Sequence, residues 1–236
     1  MFRNCLLSSV LLGFVAVATA APITFTDPNY SVTAIVGVDD LVDSASDTSP
    51  PTTIPLNVAK PVLTDADSAF ASASAALGKL SAVTNASSTG GFADASSNSS
   101  FSGIIDSMLG GDYQLAFNFI TGDLIVGPNS FASSTLRIII NSNTVDLYNQ
   151  IFTTSSSLTD FTFSLAQNTK ALFDITLVSS ANSTSGSASN NANVDFSINV
   201  AANGVPEPHE GMLLLLGGLA MCSFIRRGHR RAGPPR

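Results

Sequence analysis

Histidine, cysteine and carboxylate side chains supply most acid–base, nucleophilic and metal chemistry, and this chain distributes them unevenly. The histidines are His209 and His229, and the cysteines are Cys5 and Cys222. Between Ala21 and Gly204 there is no His, Cys, Trp or Glu. A Ser-His or Cys-His nucleophile system therefore has no parts in that span, and a zinc site of imidazole or thiolate has no ligands. A disulfide framework is excluded there as well. What remains is aspartate. Asp39, Asp40, Asp43 and Asp47 fall within nine residues, and Asp65 and Asp67 lie two apart. Calcium takes carboxylate and carbonyl oxygens, and extracellular sites can be weak. The first four are thus the candidate metal ligands, although no D-x-D-x-D-G loop orders them and a solvated acidic loop is the simpler reading.

Other chemistries lack further parts. Glycoside hydrolysis needs two carboxylates across a cleft, and here no Trp stacking platform accompanies the aspartates. Lys60, Lys79 and Lys170 could each join a serine in a dyad, but no motif surrounds them. Tyr30, Tyr113 and Tyr148 are candidates for a sugar-facing surface, although two of them sit in strand patterns that suit core positions. The expectation is a non-enzymatic body with no cofactor.

The elements that must position these residues follow from charge and hydropathy along the 236 residues. Charged residues make up 11% of the chain, against roughly 25% in an ordinary soluble domain. From Asp27 to Asp195, fifteen aspartates face four basic side chains, a net charge of −11, whereas the last 26 residues carry five arginines and no acid. Phosphate neutralisation needs clustered Lys and Arg, so the acidic body excludes nucleic acid as a partner.

Each end reads as an address. At the N-terminus Arg3 precedes an apolar run from Cys5 to Val17, and Ala18-Thr19-Ala20 follows. Small residues at Ala18 and Ala20 predict a signal peptide over 1–20, cleaved after Ala20. At the C-terminus Val205-Pro206-Glu207-Pro208 leads into an apolar segment from Gly211 to Ile225, followed by Arg226, Arg227, Arg230 and Arg231. The prolines favour a stiff, extended backbone that suits the groove of a processing enzyme. The apolar run is fifteen residues long, shorter than the ~20 a spanning helix needs, and flanking arginines extend its reach by snorkelling. Those arginines orient the segment and leave the acidic body outside the cytoplasm.

The order of motif, apolar segment and basic end resembles the PEP-CTERM protein-sorting tail of Gram-negative bacteria, and Val205 to Pro208 matches its core residue for residue. The resemblance covers about 30 residues of the chain, 205–236; His209 and Glu210 depart from the family's usual Ser, Thr or apolar residues after the motif. It implies a single transmembrane sorting helix, recognition by an exosortase-type enzyme, transient residence at the inner membrane, and then the cell surface or extracellular space. It also implies association with exopolysaccharide and the extracellular matrix. The competing expectation is a permanently anchored carbohydrate- or calcium-binding, adhesin-like module.

The body, 21–204, reads as one all-β domain of the β-sandwich or jelly-roll kind. Tyr30 to Val38, Asp112 to Ile120, Asp160 to Leu165, Ala171 to Val178 and Val194 to Val200 each approach period two. Leu136 to Ile140 is read as a strand buried on both faces. Gly110-Gly111, Thr121-Gly122-Asp123, Gly127-Pro128-Asn129 and Asn141-Ser142-Asn143 read as turns. Asp65 to Thr84 fits a helix or a hairpin turning at Leu77-Gly78-Lys79-Leu80, and the Ala/Ser alternation favours the hairpin. Asp43 to Pro55, Thr84 to Gly103 and Ser179 to Asn193 offer little apolar area to offset ordering entropy, and are expected as surface loops or flexible connections.

Overall fold

The structure is a computed structural model, and it describes residues 23–49, 56–64, 66–143 and 145–201. Twelve strands carry the fold, and there is no helix among the described residues. In chain order they are β1 (Thr26–Val38), β2 (Leu41–Ser49), β3 (Leu56–Leu63), β4 (Ser68–Ala76), β5 (Lys79–Ser88) and β6 (Ala93–Ser107). Then follow β7 (Gly111–Val126), β8 (Ser130–Ser142), β9 (Val145–Phe152), β10 (Ser156–Leu165), β11 (Thr169–Ser183) and β12 (Gly186–Val200). The first sheet has the order β2-β1-β6-β11-β8-β9 and the second β10-β7-β12-β5-β4-β3. Every ladder is antiparallel. The inward faces of the two sheets enclose the core of a β-sandwich, as expected of antiparallel sheets that are apolar on one face.

The expected strands are present, and the hairpin is the outcome at Asp65 to Thr84. β4 and β5 pair from Ser68↔Ser87 to Ala76↔Lys79. The turn between them is Leu77-Gly78, with Gly78 at φ +76°, a left-handed conformation that glycine adopts without a Cβ penalty.

Three expectations are corrected. The Ser-rich stretches expected as loops are largely strand: Thr84 to Gly103 contains the end of β5 and most of β6, and Ser179 to Asn193 the end of β11 and start of β12. Asp43 to Ser49 lies in β2, while 50–55 fall outside the described residues. β6 shows why. Ala93, Ala95, Ser97, Ser99, Phe101, Gly103, Ile105 and Ser107 alternate inward and are buried, while Asp94, Ser96 and Asn98 face outward. The period of two is intact, but alanine and serine occupy the inward positions, so hydropathy hardly marks it. Thr121-Gly122-Asp123 is no turn; it continues β7 in register with Ala192, Asn191 and Asn190 of β12. Leu136 to Ile140 is buried on one face only, because Arg137 is exposed and Ile139 half-buried between buried Leu136, Ile138 and Ile140.

The connectivity makes the last two strands central. β11 lies between β6 and β8 in the first sheet, and β12 between β7 and β5 in the second. Both sheets are therefore open until residues 169–200 insert.

Candidate functional site

The candidate calcium ligands are spread along the β1–β2 hairpin. Asp39 sits at its turn, and Asp40 and Asp47 are exposed. Asp43 lies opposite Val36 and forms an ion pair with Lys60 of β3 at 3.0 Å. The Lys60 ammonium holds the Asp43 carboxyl below its usual range, and the pair links the edge strands of the two sheets. Among the described residues no group of three or more His, Cys, Asp or Glu side chains is placed to hold a metal ion. Asp65 lies outside the described residues.

Asp39 and Asp67 instead converge on the β5–β6 turn. Phe92 N–H donates to Asp39 Oδ1 at 3.0 Å, and Thr89 N–H donates to Asp67 Oδ1 at 2.8 Å. A Cβ on Gly91 would meet Asp67 Oδ2 at 2.2 Å and Asp39 Oδ1 at 2.5 Å, so only glycine fits between the two carboxylates. Asp67 is 5% exposed. The two acids satisfy turn amides, and nothing in their spacing of 28 residues reveals the convergence.

The tyrosines do not form an outward sugar-facing surface. Tyr30 and Tyr113 are buried in the core, and half-buried Tyr148 packs on Phe161 with ring centroids 4.5 Å apart. Burial pushes the Tyr30 and Tyr148 hydroxyls above the ordinary phenol range. Ala18 and Ala20, Val205 to Pro208, the 211–225 segment, and Arg226, Arg227, Arg230 and Arg231 all lie outside the described residues.

Inside the sandwich a hydrogen-bonded polar layer crosses from one sheet to the other. Ser179 Oγ donates to Asn190 Oδ1 at 2.9 Å, so in its 2.8 Å contact with Ser179 the Thr84 hydroxyl is the donor. Asn190 Nδ2 donates to Thr121 Oγ1 at 3.3 Å and to Asp123 Oδ1. Thr121 Oγ1 also donates to Asp123 Oδ1 at 3.5 Å, so Ser134 donates its own proton to Thr121. Every proton in the chain thus points towards the exposed Asp123 carboxylate. Thr84, Ser134, Ser179 and Asn190 are buried, where an unpaired polar group costs about 1–3 kcal/mol. Within the layer these hydrogen bonds satisfy the buried polar groups and align the two sheets.

The outer face of the second sheet is polar as well, with serine and asparagine at many of its outward positions. Two adjoining open clefts of about 460 and 390 Å³ share Phe70 as a common wall. Cross-strand register places Pro61, Phe70, Asn85 and Ser189 side by side on β3, β4, β5 and β12. Ser72, Ser74 and Ser81 line one cleft, and Ser87, Ser187 and Leu63 the other. No charged side chain lines either. No family model matches the chain, and no curated protein matches it.

Phe70 is the residue that inspection of the sequence left unassigned. On β4 the inward positions are Ala69, Ala71, Ala73 and Ala75, all buried, while half-buried Phe70 faces outward between Ser68 and Ser72. A phenylalanine on the solvent side of a strand whose core side is alanine reverses the usual pattern. That inversion was visible in the sequence, but the stretch also fits helical spacing, and in that alternative Phe70 falls on the apolar face.

Proposed function

We propose that this chain is an exported, non-enzymatic protein of the cell surface or extracellular matrix. Its signal peptide is cleaved after Ala20, and its PEP-CTERM-like tail is processed by an exosortase-type enzyme. The protein is held transiently at the inner membrane by 211–225 and then works in contact with exopolysaccharide. The observation that carries this reading is the tail's order: Val205-Pro206-Glu207-Pro208, then Gly211 to Ile225, then Arg226, Arg227, Arg230 and Arg231. Pro206, Glu207 and Pro208 act as the recognised substrate, and the arginines orient the segment.

The body supports the same reading. The twelve described strands all precede the tail, and beyond the last of them the Ala201 N–H donates to the Asp112 carbonyl at 2.8 Å. The lack of His, Cys and Glu between Ala21 and Gly204 is what argues for a binding or structural role over catalysis.

Sorting is tested in a host that carries an exosortase. Glu207→Ala, or deletion of Val205 to Pro208, is expected to leave the protein in the membrane fraction while the parent is released. Release of the variants as efficient as that of the parent overturns the proposal.

A further inference from the structure

We propose that the outer face of the second sheet around Phe70 binds a neutral glycan chain, which lies across β3, β4, β5 and β12 with a sugar ring stacked on the phenylalanine. This rests on the association with polysaccharide proposed above and assigns it a place. Three independent features of the face converge on that ligand class.

The first is the aromatic ring. Its inward neighbours on β4 are all alanine, so Phe70 contributes nothing to the core between the sheets. Its ring instead divides two clefts, each of a size typical of small-ligand sites. The electron-rich face of a phenyl ring attracts the polarised C–H groups on the apolar side of a pyranose.

The second is the polar surround. The side chains of Ser72, Asn85, Ser187 and Ser189 make no hydrogen bonds with other described residues. These outward hydroxyls and the amide can therefore exchange hydrogen bonds with a ligand on this face. Asn85 lies directly beside Phe70 in the ladder, offering both a donor and an acceptor at the ring's edge.

The third is charge. The body carries −11 between Asp27 and Asp195, yet the clefts are lined without a charge of either sign. A chain bearing carboxylates or sulfates would meet a repulsive field and find no lysine or arginine to pair with. A neutral chain meets neither cost. From Pro61 to Ser189 the row spans three inter-strand steps of ~4.8 Å, about 14 Å, which suits an extended oligosaccharide segment.

Affinity electrophoresis of the full chain in mild detergent tests this, with gels containing dextran, mannan, hydroxyethylcellulose or alginate. Retardation by at least one of the three neutral polymers and not by alginate is expected. Phe70→Ala should weaken it about tenfold, and Phe70→Tyr should preserve it. Asn85→Ala removes no packing from the core and should weaken it about threefold or more. Phe131→Ala, an exposed aromatic on β8 of the first sheet, should leave it unchanged. The melting temperature of each variant reports that it is folded. Full retention by both Phe70→Ala and Asn85→Ala would sink the cleft while sparing polysaccharide association. Retardation by alginate alone overturns the neutral ligand. Retardation by no polymer overturns the cleft and the association with polysaccharide together, while the sorting experiment stands or falls separately.

Discussion

At one end of the sandwich Phe101 is ringed by Phe25, Tyr30, Phe173 and Phe196, with ring centroids 4.9 to 6.0 Å away. At the other end the corresponding inward positions are Ala93, Ala95, Ala132, Ala181 and Ala188, joined by Val36 and Val38. Single strands run through both regions: β6 supplies Phe101 and Ile105 to the first and Ala93 and Ala95 to the second. Between them lies the polar layer of Thr84, Ser134, Ser179 and Asn190. The aromatic end fills its volume with large side chains, so its stability depends on bulk being present. The alanine end fills its volume with backbone and methyl groups, so its stability depends on bulk being absent. The polar layer gains its hydrogen bonds only when the two sheets hold one register.

Substitutions can break this contrast. The largest effect is expected for Phe101→Ala, at a fully buried residue in contact with four rings. Loss of the ring and the cavity left behind should cost about 3–5 kcal/mol in urea denaturation. A cost below about 1 kcal/mol would mean that the aromatic end is loosely packed. Next is Ala95→Leu, at a position 1% exposed between Val36 and Ala181. Adding volume there should cost about 1–3 kcal/mol. A neutral or stabilising result would show space at the alanine end and erase the difference between the two regions.

The smallest effect concerns Asp94, on the outer side of β6 at the alanine end. Its carboxyl lies across Gly37, where a Cβ would stand 2.2 Å from Asp94 Oδ1. Burial raises its pKa above the ordinary Asp value. A raised folded-state pKa means that the stabilisation is fully present below the unfolded pKa and is lost as pH rises through the folded one. At neutral pH the ionised group is therefore a net cost. Asp94→Asn should raise the melting temperature at pH 7 by about 2 °C or less, and this gain should vanish at about pH 3. An equal gain at both values would assign the effect to packing. Asp43, whose carboxyl Lys60 holds low, has the opposite sign: its contribution is lost as pH falls. Only the difference between variant and parent isolates Asp94.

Legibility in the sequence followed hydropathic contrast. β1, β7, β10 and β11 announce themselves because Val, Leu, Ile and Phe alternate with Ser, Thr, Asn and Asp. The same period runs through the Ser-rich part of β6, but an Ala or Ser on either face has nearly the same hydropathy, so the stretch reads as a loop. The polar layer was equally hidden, since Thr84, Ser179 and Asn190 are ordinary surface residue types until the opposite sheet covers each of them. Asp39 and Asp67 were legible as acids but not as a clamp on Gly91, because the turn they grip belongs to a third segment.

The sequence by itself determined which chemistry the body lacks, the division of charge between an acidic body and a basic end, and an all-β pattern, because composition and period two need no partner to be read. Only the tertiary structure decided which alternating face lies inside. A slip of one residue exchanges the two faces of a strand, and in β4 that choice buried Ala69, Ala71 and Ala73 and turned Phe70 outward. Where both faces are built from small side chains, local hydropathy cannot make the choice. The decision falls to the opposite sheet, whose approach admits alanine and leaves no room for a ring.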